Sequence, residues 1–114
     1  MLFRSTAEAE YIPGYPVTVN DPAEAQFATT TAASLFGPGK SVTPAQPLTG
    51  SEDFSYVLGQ VPGAFVMLGA SPPGADLELA PSNHSASAVF DDGVLVDGTA
   101  LYAELALRRL SAAS

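Results

Sequence analysis

Cysteine and tryptophan are absent from the 114 residues, and histidine occurs once, at position 84. Without cysteine, disulfides and thiolate metal sites are excluded; this permits a reducing cytoplasm without fixing the compartment, and a cytoplasmic protein is the expectation. Cations are scarce as well: Arg4, Lys40, Arg108 and Arg109 stand against 12 acidic residues, for a net charge of -8. No basic face can form to neutralise phosphates, so no nucleic acid and no anionic lipid is expected as a partner. Long hydrophobic runs are missing too. No stretch approaches the roughly 18 to 20 uninterrupted apolar residues of a membrane span. MLFRSTAEAE meets acid and a Tyr-Ile-Pro turn before an apolar run of signal-peptide length, so a soluble protein is expected.

What is present is apolar. Hydrophobic residues make up 46% and charged ones 14%, a balance that predicts a folded, globular, well-buried chain rather than disorder. Tyr15, Val17 and Val19 alternate with Pro16, Thr18 and Asn20, the period-two pattern of a half-buried strand. Asp21-Pro22-Ala23-Glu24 supplies a cap acceptor, a proline at the first helical position and a glutamate able to bond back. It predicts a helix that Gly37-Pro38-Gly39 ends. Thr49-Gly50-Ser51-Glu52 offers a second capping box, opening a short helix through Phe54 to Leu58. Ala64 to Gly69 is a continuous apolar run between turns, which predicts a strand buried on both faces. Residues 70 to 88 read as a long loop. A last helix, predicted to run to about Leu110 with Asp91 as cap and Phe90 and Leu95 as a staple, is apolar enough to be covered on more than one side. These elements describe part of an α/β layer. Two or three strands make a poor parallel sheet, so the chain reads as a piece of a larger domain.

Two motifs fail on inspection. Gly39-Lys40-Ser41 would end a phosphate loop only if residue 34 were glycine, and it is Ser34, in a helix where a strand is needed. Ser71 in GASPPG lacks the second glycine of a nucleophile elbow, and Pro72 opposes the helix that should follow. Ser82 and Ser85 flank His84, but catalytic triads assemble from separated segments, so adjacency points to loop hydrogen bonding. His84 itself, in a polar loop, is by residue type more often a solvent-facing side chain than a ligand, although histidine is the commonest metal ligand.

GYPVTVNDPAEAQFA, TGSEDFSYVLGQVPGAFVMLG and NHSASAVFDDGVLVDGTALYAELALRRL, in this order and spacing, resemble the C-terminal part of the metal-dependent amidohydrolases. That group includes hippurate hydrolases, N-acyl-amino-acid aminoacylases and auxin-conjugate hydrolases, related to the dinuclear zinc carboxypeptidases. The resemblance covers nearly the whole chain, and the S-E-D-F, P-G-x-F, L-G, H-S and F-D-D series carries it. It implies an α/β fold, namely the C-terminal fragment of a three-layer catalytic domain with a mixed, mainly parallel sheet. The last strand of an inserted dimerisation (lid) domain would precede it. Residues 1–20 would end that lid domain and residues 21–114 would belong to the catalytic domain, with a homodimer as the assembled state.

The resemblance also implies hydrolysis of the amide of a small N-acyl amino acid by two divalent ions, zinc or manganese, with His84 matching the last metal ligand. A neutral imidazole suits either metal, and a bound ion lowers the pKa of its water toward about 7. The second ring nitrogen then needs an acceptor, which Asp91 or Asp92 could supply, although both also suit a helix cap. Gly50, Ser51 and Glu52 match a loop beside the family's substrate site, where helix amides would suit a carboxylate; equally, Glu52 and Asp53 would complement a helix dipole. Asn20 matches a family asparagine near the domain junction and also suits an ordinary turn. Ala86 and Val96 depart from prolines common in the family. The remaining ligands and the glutamate base lie upstream in the family, so this chain is expected to be inactive alone. A non-catalytic binding or dimerisation module derived from the same fold is the competing expectation. A complete small metallohydrolase using His84 with Asp76, Glu78, Asp91 and Asp92 is the third.

Overall fold

Asp21 opens the first helix in the computed structural model, which describes residues 5–112. Met1 and Arg4, with the start of the expected 1–20 lid segment, lie outside the described residues. The Asp21 backbone is extended (φ -64, ψ 128), and its carboxylate accepts from the amides of Ala23 and Glu24, two of the donors a helix start leaves without partners. Helix α1 then runs over Pro22–Phe36 and stops at Gly37, whose φ of +94 is a left-handed conformation that disfavours a side chain. One half of the expected capping box is absent: Glu24 does not bond back to the cap but reaches Arg109.

Helix α2 is a single turn, Ser55–Leu58, closed by Gly59. Its capping differs from the sequence expectation. Phe54 occupies the cap position without a side-chain bond, and Glu52 receives the Phe54 amide through Oε1 at 3.2 Å. Helix α3, Val94–Ala112, begins three residues after Asp91. Asp91 Oδ1 accepts the Gly93 amide at 2.9 Å, forming an aspartate turn that leads into the helix.

α1 and α3 pack against each other. Arg109 pairs with Glu24 and lies over the Phe27 ring, 4.4 Å from its centroid. Arg108 donates to Glu104 at 2.7 Å within its own helix and to Ser34 of α1 at 2.6 Å. Ala28 is the buried apolar residue of α1, and Thr31, 1% exposed, returns its hydroxyl to the Phe27 carbonyl.

The α/β expectation is not met. Among the described residues there is no strand and hence no sheet, so the three-layer arrangement implied by the resemblance is absent. Residues 15–19 and 64–69 belong to no helix and carry no ladder. They meet at one end only, where Asp21 N–H donates to Gly63 O at 2.9 Å and the Asn20 amide pairs with Phe65. A strand exists only through repeated hydrogen bonds to a neighbour, and one such meeting does not propagate.

Burial departs from expectation for the same reason. The run 64–69 is not buried on both faces: Val66, Met67 and Leu68 are each more than half exposed. Nor is α3 covered on several sides, since Leu95, Val96, Tyr102, Leu107 and Leu110 are exposed and it has no buried residue among those described. The accessible surface is 9862 Å², where a compact monomer of this mass would show about 5,800 Å². The radius of gyration is 19.2 Å, against about 13 Å for a compact domain of roughly 100 residues. The chain is therefore an extended arrangement around a helix pair and not the globule its composition predicts.

Candidate functional site

His84 sits in the irregular segment between Ala70 and Asp91, on a turn whose bonds are local: Ser85 N–H donates to Ser82 O, Ser87 N–H to Ser85 Oγ and Ala88 N–H to Ser85 O. The serines beside it are thus spent on loop structure. The imidazole is exposed, and no hydrogen bond joins it to Asp91 or Asp92. Asp91, half-buried, commits Oδ1 to Gly93, while its amide donates to Ala70 O at 2.9 Å; Asp92 is exposed. The cap role of Asp91 is the one the geometry displays.

Next to His84 in sequence, Asn83 lines an open cleft of about 550 Å³ between the 67–72 segment and the loop. Met67, Leu68, Leu79 and Phe90 give it apolar walls, and Asp76 places one carboxylate there. Asp76 Oδ1 accepts the Glu78 amide at 3.0 Å, a loop-shaping bond rather than a contact with His84.

The donor set does not make a metal centre. Among the described residues no three of His, Asp and Glu are grouped so that they could hold an ion. A dinuclear site needs several ligands and a base. This chain presents one imidazole.

Gly50 and Ser51 are exposed and precede a one-turn helix that starts at Ser55. A single turn has no aligned series of peptide dipoles to hold a carboxylate, so the electrostatic part of the expectation for this loop has no structural counterpart. Glu52 is half-buried and faces its own backbone through the Phe54 bond. Asn20 uses both ends of its side-chain amide on one residue: Nδ2 donates to Phe65 O at 3.1 Å, and Oδ1 accepts Phe65 N–H at 2.8 Å. The structure thus connects Asn20 with the 50–54 loop through Phe65, whose ring lies 5.9 Å from that of Phe54. It does not bring either of them to His84 by any hydrogen bond. Phe65 was missed as an anchor because it read only as part of an apolar run; the P-G-x-F spacing was the one available signal.

A model of the peptidase family M20/M25/M40 matches residues 5–108, and the chain belongs to that family. It is 42% identical over 65 residues to YhaA of Bacillus subtilis (strain 168), covering 57% of this chain and 16% of that protein. It is 35% identical over 98 residues to the IAA-amino acid hydrolase ILR1-like 4 of Arabidopsis thaliana, covering 86% of this chain and 22% of the plant protein. With the hippurate hydrolase of Campylobacter jejuni it shares 34% over 95 residues, 83% of this chain and 23% of that enzyme. The chain spans about a fifth of the length of these relatives. No solved structure matches it.

Proposed function

We propose that this chain forms part of a metal-dependent amidohydrolase that cleaves the amide of small N-acyl amino acids, and that it has no turnover by itself. The observation that carries this reading is the family match over residues 5–108, supported by two relatives named as hydrolases of an IAA-amino acid and of hippurate. In this reading His84 contributes one donor to a zinc or manganese pair whose other ligands lie on residues outside this chain. Gly50, Ser51, Glu52 and Asn20 belong to the substrate side, and Asp91 and Asp92 support the His84 loop. The assembled enzyme is a homodimer.

The decisive experiment grafts residues 5–108 into the Campylobacter hippurate hydrolase in place of its matching segment. Hippurate turnover and bound metal are then measured with and without His84→Ala, beside the 114-residue chain alone in zinc or manganese. The chain alone is expected to be silent, the graft active, and the histidine variant depleted in both metal and turnover. Full metal content and activity in the His84→Ala graft would remove the ligand assignment. Hydrolysis by the isolated chain would remove its dependence on other residues.

A further inference from the structure

Asn20 stands at the boundary between the irregular residues 5–20 and helix α1, and its side chain reaches across 45 positions to a single residue. Donating Nδ2 to Phe65 O and accepting Phe65 N–H at Oδ1, it reproduces with a side chain the paired bonds that two opposed residues exchange in an antiparallel ladder. The adjoining residue adds a backbone bond of the same sense, Asp21 N–H to Gly63 O at 2.9 Å. Three bonds therefore fix the 63–65 turn against the start of α1.

That turn is also the seat of the 50–58 unit. A Cβ at Gly63 would lie 3.0 Å from Leu58 Cδ2, so the turn and the end of α2 are already in close contact. The Phe65 ring packs on Phe54 at 5.9 Å, and the Phe54 amide is held by Glu52.

We infer that Asn20 is a positioning residue: through Phe65 and Phe54 it sets where the Gly50 to Glu52 loop stands relative to α1. The inference rests on the proposed function only in calling that loop the substrate side. The linkage itself is a property of this chain and is read without substrate or metal. Its chemistry requires an amide. Aspartate keeps an acceptor for Phe65 N–H but loses the donor to Phe65 O and brings an unpartnered charge against that carbonyl.

The test is amide NMR on the 114-residue chain carrying Asn20→Asp, Phe54→Leu, or both. Asn20→Asp is expected to shift the amides of Gly50 to Phe54 and to leave those of α1 and α3, reported by Gly37 and Thr99, in place. In the Phe54→Leu background the same Asn20→Asp change is expected to move residues 50 to 54 by less than half as much, because the route through the rings is cut. Shifts confined to residues 18–21 and 63–67 would overturn the inference. So would equal shifts throughout α1 and α3, which would make Asn20 a general stabiliser, or undiminished transmission in the double variant. Should Asn20→Asp fail to fold, Phe54→Leu alone reads the linkage from its other end: a shift at the Asn20 side-chain amide supports it, and an unmoved one refutes it.

Discussion

Helices α1 and α3 became regular structure, whereas segments 15–19 and 64–69, whose apolar patterns read as strands, did not. A helix satisfies its backbone within its own residues, so Pro22–Phe36 and Val94–Ala112 need no neighbour to close their hydrogen bonds. An extended segment closes none of its own. Residues 64–69 keep the composition of a buried strand while Val66 is 53% and Met67 60% exposed. The difference teaches where each kind of order comes from. The helix pair is held by contacts this chain supplies, including Glu24 with Arg109 and Arg108 with Ser34. The extended part has the apolar surface of a core without the surfaces that would face it.

The comparison breaks most readily at Ala28, 6% exposed on α1. Ala28→Leu adds three carbons where little space is free, and overpacking of this kind costs about 1–3 kcal/mol. Helical circular dichroism and the melting midpoint should both fall, while a Val66→Ser change in the 64–69 segment, where the side chain is 53% exposed, should leave them unaltered. A Val66→Ser variant that melts the helices would show that the two regions are one cooperative unit.

Next in size is Asp21→Ala. It removes the acceptor of two amides and should cost about 1 kcal/mol, read as a loss of helix at α1 in hydrogen exchange. Smaller again is the Glu24 and Arg109 pair. Its side chains are 27% and 55% exposed, and exposed pairs contribute roughly 0.2–1 kcal/mol, so solvent screening keeps the expected coupling near the lower end. A double-mutant cycle with Glu24→Gln and Arg109→Gln measures it. The stacking of Arg109 on Phe27 is lost in both arms that carry Arg109→Gln and cancels from the cycle, so the coupling should shrink as salt is raised, and one that survives high salt would contradict its reading as a screened surface pair.

How much of this was legible follows the same division. The start and end of α1 were readable because Asp21-Pro22 and Gly37-Pro38 act on bonds within a few residues of themselves. α3 was placed within about one turn, since Asp91 shapes the entry from three residues outside it. The period-two pattern at Tyr15, Val17 and Val19 records a preference for a pleated, half-buried surface, but it does not contain the partner that makes a strand. In the candidate site, His84 stood out because it is the sole imidazole, and its loop is irregular as expected. Asn20 and the P-G-x-F series were each visible, but the tie between Asn20 and Phe65 was not, because a side-chain bond across 45 positions has no spacing rule. Arg109 was readable as a helix-end cation; its pairing with Glu24, 85 positions away, was not.

The smallest predicted effect lies where the two regions touch. Gly98, in the second turn of α3, has no side chain, and a Cβ there would meet Leu68 Cδ2 at 3.0 Å. Two terms oppose one another in Gly98→Ala. Replacing glycine inside a helix gains up to about 1 kcal/mol of helix propensity, and crowding Leu68 opposes it. The atom in the way is the end of a flexible side chain, and Leu68 is 52% exposed, so it can turn aside into solvent at little cost. The net expectation is a stabilisation of a few tenths of a kcal/mol, seen as a small rise in the α3 melting midpoint. If residues 64–69 are instead held firmly against α3, Leu68 cannot yield and the same change will destabilise. The sign of one methyl group thus reports whether the extended segment rests on the helix or is fastened to it.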